Sequence, residues 1–296
     1  MERRGVFPPE VRVQVTAIAC SLPRQHHVPL SRWSRAEVAR YVAQDPSLPP
    51  ISASTVGRWL TADHIRPWRY HAWQHIHDPQ TFLQRARPAL EAYAQAQALL
   101  RKGTWLVSLD EKTSLQAREG EQPPRPACPY KPILHEARYH RRGARHLFAG
   151  LSIADGLVYG TCRQRTCFVD FQNFLEQEII PEALRRHVQT VTFILDNGTT
   201  HAPKQLEGWL REQEQACESR LHFQLHWLPP NASWLDQIEI WFSVLQRKCL
   251  QPNHFVSTDA LETALNEYIA SSNQTAKPIK WTYTLEKLEQ KLGKHL

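Results

Sequence analysis

At 296 residues, 42% of them hydrophobic and 22% charged, the chain has material for a sizeable core and for more than one domain. A net charge of +7 suits a polyanionic partner. No apolar run approaches a membrane span, and the opening MERRGVFPPEVRVQV lacks the apolar stretch of a secretory signal, so a cytoplasmic protein is expected. Six scattered cysteines without a C-x-x-C pair support neither a zinc site nor a disulfide framework and read as reduced structural thiols, and no glycine-rich phosphate loop occurs.

The first third reads as helical. Pro8-Pro9 opens a helix near Glu10–Ser21, which Pro23 and Pro29 end. Ser34-Arg-Ala-Glu37 is a capping box before Val38, Ala39, Tyr41 and Val42. After the proline-rich turn 45–50, ISASTVGRWL predicts a second short helix, with Ser52 or Ser54 as N-cap and Val56, Trp59 and Leu60 on its apolar face. Two short helices around a turn, the second showing Ser54, Thr55 and Arg58 on its polar side, form a helix-turn-helix pattern. The following HIRPWRYHAW interleaves bases, Arg66 and Arg69 among them, with aromatics, which adds to a DNA-binding reading. An ordinary small helical bundle is the competing reading. Residues 78–101 then predict one long helix that Pro88 kinks or interrupts.

From Thr104 the texture changes. TWLVSLDEKTSLQA, RHLFAGLSIAD and GLVYGTCRQ predict three strands, the last two joined at Asp155-Gly156. Helix 168–187, strand VTFILDN, helix 204–216, strand FQLHWLP and helix 234–250 follow, then helices 258–271 and 285–292. That order predicts an α/β domain with a mixed five-stranded sheet behind an all-α domain. The expected divisions are a DNA-binding region at 1–77, a helical linker at 78–103, a catalytic domain at 104–256 and a helical tail at 257–296.

Three acids stand where chemistry gathers. Asp110 ends or nearly ends the first apolar strand, Asp196 ends VTFIL, and Glu239 lies in the first turns of the helix after the last strand. Ligands in open α/β sheets collect outside the carboxyl ends of strands. Carboxylates held together repel, and a hard divalent cation such as Mg²⁺ or Mn²⁺ relieves the repulsion; two ions can activate an attacking oxygen and stabilise a leaving one. Singly, each acid is also a turn or helix-start residue. Glu111 alternates to the other face of its strand and reads as a solvent or salt-bridge residue. Asp236, in Ser233-x-x-Asp236, reads as part of a helix start, leaving Glu239 at the costly border of an apolar face.

SLDEKT (108–113), LDNGTTH (195–201) and ASWLDQIEIWF (232–242) resemble the three DDE blocks of bacterial insertion-sequence transposases of the mariner superfamily. Asp110 and Asp196 are 86 positions apart and Asp196 and Glu239 are 43 apart, spacings that agree with the resemblance. It implies a ribonuclease H-like, integrase-like domain behind helix-turn-helix modules. It also implies that Asp110, Asp196 and Glu239 bind two Mg²⁺ or Mn²⁺ ions. The implied reaction is hydrolysis at transposon ends followed by strand transfer into target DNA, typically at TA. The implied partners are terminal inverted repeats and target DNA, held by a homodimer on paired ends in the bacterial cytoplasm. Asn197 and His201 become candidates for supporting the site, and Lys112, Arg141, Arg142, Arg145, Arg247 and Lys248 for phosphate contacts. Related chains often carry another helix-turn-helix ahead of the one at 34–60, and this chain begins too late to hold a full copy. Alternatives from the same residues are an inactive or domesticated DNA-binding repressor and a ribonuclease H-like nuclease.

Overall fold

The structure is a computed structural model that describes residues 7–70, 76–218 and 220–293. It divides into two units, Met1–His75 and Ile76–Leu296. In the first, helices α1 (Pro9–Ala19), α2 (Arg35–Val42) and α3 (Ala53–Ala62) surround Val15, Trp33, Val38, Val42, Val56 and Leu60. The α2 capping box forms: Ser34 accepts from the Glu37 amide at 3.1 Å and its hydroxyl donates to the Glu37 carboxylate. Ser52 is the residue that caps α3, accepting from the Thr55 amide at 3.2 Å. The start of the basic-aromatic segment folds back on this bundle, with Arg35 over Trp68 and Arg32 over Tyr70. Its end, 71–73, lies outside the described residues.

In the second unit a five-stranded sheet runs β3-β2-β1-β4-β5. Its strands are β1 (Thr104–Gly120), β2 (Tyr139–Ser152), β3 (Val158–Arg163), β4 (Thr190–Leu195) and β5 (His222–Trp227). The chain goes out and back through β1, β2 and β3 as antiparallel neighbours, and β4 and β5 then add parallel to β1. Both faces are covered, so the central strands are apolar on both sides. Trp105, Val107 and Leu109 face α5 (Phe168–Phe174), α6 (Ile180–Arg185) and α7 (Pro203–Ala216) through Phe171, Phe174, Ala183 and Leu206. Leu106, Leu115 and Ala117 face the opposite layer, through Phe82 and Tyr93 of α4 (Pro79–Arg101), Phe242 of α8 (Ile238–Lys248), Leu261 of α9 (Thr258–Gln274) and Leu288 of α10 (Leu285–Gly293). Full burial of each such Val, Leu or Phe side chain is worth about 1.5–3 kcal/mol. Among the described residues no helix is long and apolar enough to cross a membrane.

Three expectations are refined. Helix α4 runs unbroken through Pro88. β1 continues ten residues past Asp110 to Gly120, because β2 goes on pairing with it after β4 has stopped at the Ser108–Ile194 pair. The predicted helix 234–250 begins at Ile238; Ser233–Leu235 form a 3-10 turn, and Asp236 is extended at φ −81°.

Candidate active site

Asp110 sits inside β1, yet it lies just beyond the last parallel pair with β4, at the carboxyl edge where Asp196 follows Leu195. One ligand atom from each of Asp110, Asp196 and His201 falls within 4.8 Å of the others. The loop after β4 builds its own side of this cluster. Asp196 Oδ1 accepts from the Gly198 amide at 2.7 Å and from His201 Nδ1 at 3.0 Å. A Cβ at position 198 would stand 2.9 Å from that oxygen, so the close approach requires glycine. His201 ends the short turn Thr199–His201, and Ala202, in the left-handed region at φ 39°, redirects the chain into α7.

Alternation along β1 sends Glu111 to the other face from Asp110, and there it meets His201. His201 Nε2 lies 3.2 Å from Glu111 Oε2, close enough for ion pairing but without the alignment of a hydrogen bond. The imidazole, 1% exposed and 4.9 Å from the Phe171 ring, is thus held between two carboxylates. Burial opposes its charging, but Asp196 and Glu111 outweigh burial and push its pKa up to about 10. A protonated imidazole has no lone pair for a metal. In that state His201 can serve as a cationic clamp between Asp196 and Glu111, and the oxygens of Asp110 and Asp196 are donors that could hold an ion.

The two aspartates are pushed apart in acidity. Asp196 is held below its ordinary value, chiefly by donation from His201. Asp110 is raised to about 7, chiefly by burial, with Glu111 and Asp196 adding repulsion. Such a pair suits a hard divalent cation: bound charge would replace the proton on Asp110, and Mg²⁺ or Mn²⁺ takes carboxylate oxygens.

Glu239 lies in the first turn of α8, half-buried, outside the cluster of Asp110, Asp196 and His201. The costly burial expected of Glu239 belongs instead to Asp236, which is 1% exposed and whose pKa is raised well above normal, by burial first and by Asp110 next. Sequence reasoning placed Asp236 only at a helix start, and no local pattern reveals its partner, Ser108.

The other candidates separate by surroundings. Lys112 shares the Asp110 face of β1 and holds its ammonium 5.7 Å from the Phe242 ring centroid, on the helix that carries Glu239. Asn197 donates to the Leu228 carbonyl at 2.5 Å and ties the ends of β4 and β5 together. Arg141 and Arg142 are exposed on the outer part of β2, where Arg142 pairs with Glu119; Arg145 is engaged by Asp259 and Glu262. Arg247 and Lys248 are exposed in the last turn of α8, where they also complement the helix dipole. In the amino-terminal unit Ser54, Arg58, Arg66 and Arg69 are exposed, whereas Thr55 is buried and accepts from Arg58 at 3.3 Å.

The sheet order and the helices on both faces define a ribonuclease H-like fold. The family described as DDE superfamily endonuclease matches residues 106–262, more than half of the chain, and the chain belongs to that family. Its fold is similar to the crystal structure of the mariner Mos1 paired-end complex with Mg, with a TM-score of 0.57 at 14% identity over 99% of this chain and 82% of that one. It is also similar to a pre-cleavage Mos1 transpososome, with a TM-score of 0.52 at 14% identity over 99% and 82%. A third similar structure is a Mos1 paired-end complex with the left transposon end, with a TM-score of 0.52 at 15% identity over 92% and 75%. No curated protein matches the sequence.

Proposed function

We propose that the protein is a metal-dependent DNA transposase that cuts at the ends of a mobile element and joins them to target DNA. The observation that carries this reading is the convergence of Asp110 and Asp196 at one sheet edge, within a DDE endonuclease domain. Glu239, on the helix that packs against the same strand, completes the proposed triad. Bound Mg²⁺ or Mn²⁺, two ions in this reading, supplies Lewis acidity for in-line phosphoryl transfer.

The chain's residues prepare that chemistry. The Gly198 amide and His201 fix the Asp196 carboxylate, and His201 offsets the charge of Glu111. Lys112, on the Asp110 face, is the proposed contact to a DNA phosphate. In the proposed first step water attacks the scissile phosphorus and the P–O3′ bond breaks, with the proton passing to the departing 3′ oxygen. In the second step that 3′-hydroxyl attacks a target phosphodiester, and one P–O bond is exchanged for another. The proposed context is a bacterial insertion sequence, with TA target sites, terminal inverted repeats read by the amino-terminal unit, a homodimer on paired ends and a cytoplasmic location. Two of the similar Mos1 structures are paired-end complexes, which supports the paired-end part of this reading.

The test is to incubate the purified chain with Mg²⁺, DNA ending in the repeats that flank its gene, and a plasmid target. The reading expects cleaved ends and joined products at TA. Retained end binding without cleavage would favour a repressor, and cleavage without joining a nuclease.

A further inference from the structure

Asp236 is 1% exposed, against 9% for Glu182, the other buried acid among the described residues. It stands outside the cluster of Asp110, Asp196 and His201, so its burial calls for a separate account. Ser108, two residues before Asp110 in β1, donates its hydroxyl to Asp236 Oδ1. The Ile238 amide, which opens α8, donates to Ser108 Oγ at 3.1 Å and faces Asp236 Oδ1 at 3.3 Å. Gln237, at the N-cap position of α8, makes no side-chain capping bond. Tyr93 of α4 donates to the Leu235 carbonyl at 3.0 Å and holds the preceding turn. The first amide of the helix that carries Glu239 is therefore satisfied by the strand that carries Asp110. Glu239 is the next residue after Ile238, so little backbone freedom separates the clasp from the acid.

We propose that the Ser108–Asp236 pair is a positioning clasp that sets Glu239 relative to Asp110 and thereby tunes the affinity of the metal site. The inference rests on the triad reading given above. A purely structural role would lower stability and leave metal affinity intact; a positioning role moves affinity through Glu239.

The experiment titrates Mn²⁺ into the full chain in metal-free buffer by calorimetry, with thermal unfolding recorded for each variant. Groups that orient metal ligands lower affinity by about 10–100-fold when removed. Ser108→Ala and Asp236→Ala should each weaken Mn²⁺ binding by about tenfold, while Asp236→Asn, which keeps the Oδ1 acceptor, should bind as the parent does. Glu239→Gln should weaken binding alone, and Asp236→Ala should add little on top of it, because the two act as one unit. Unchanged affinity in both Ser108→Ala and Asp236→Ala overturns the clasp, as does equal loss in Asp236→Asn and Asp236→Ala. Loss factors that simply multiply with Glu239→Gln overturn it too. Should Glu239→Gln itself leave Mn²⁺ affinity unchanged, the triad reading fails first, and that pattern is distinct from failure of the clasp alone.

Discussion

Replacing His201 by Gln removes a buried cation and keeps much of the side-chain volume. In the folded protein the imidazole sits at 1% exposure between Asp196 and Glu111, and its pKa rises from 6.5 to about 10. A group whose folded-state pKa is raised contributes stability that is complete below the unfolded value and is lost as pH rises through the folded one. The shift of about 3.5 units corresponds to a contribution on the order of 5 kcal/mol at pH 6.5, about 3 kcal/mol at pH 8 and none above pH 10. For a unit of this size, 1 kcal/mol moves Tm by about 2–4 °C. His201→Gln should therefore melt on the order of 10 °C below the parent near pH 7, with the gap closing as pH approaches 10. Thermal unfolding followed by circular dichroism in metal-free buffers from pH 6.5 to 10 reads this directly. A gap that stays constant with pH would refute the clamp and assign His201 to neutral packing against Phe171.

Mn²⁺ affinity should fall about tenfold per pH unit below pH 7 and level off above it, because the ion displaces the proton that burial holds on Asp110; calorimetry showing a flat profile between pH 6 and 8 would contradict this. Gly198→Ala should slow DNA cleavage by about 10–100-fold, since its Cβ would displace the Asp196 carboxylate, and an unchanged cleavage rate would count against that placement. Arg58→Ala should weaken binding to terminal-repeat DNA and reduce the slope of log affinity against log salt by about one; unchanged affinity across a salt series would remove Arg58 from the interface.

The apolar runs Trp105–Leu109 and Val191–Leu195 were legible as strands because both faces of the central sheet are buried. The length of β1 was not legible. Beyond Ser108 it leaves β4 and continues as an arm paired only with β2, where partial exposure permits Lys112, Gln116 and Arg118. Alternation placed Glu111 on the face opposite Asp110, but its partner is brought there by the turn at 199–201, ninety positions along the chain. Asp236 was the hardest residue to read. A helix-start acid and a buried acid look alike in sequence, and the difference lies in a hydroxyl on Ser108, 128 positions away.

The central claim is that Asp110, Asp196 and Glu239 form one catalytic metal site, and Glu239 is the member to test, since it stands outside the cluster of Asp110, Asp196 and His201. The decisive measurement compares Mg²⁺-dependent cleavage of terminal-repeat DNA by the parent and by Glu239→Gln, with DNA binding measured in parallel. The account predicts end binding retained and cleavage abolished. Cleavage at the parental rate by Glu239→Gln would contradict it.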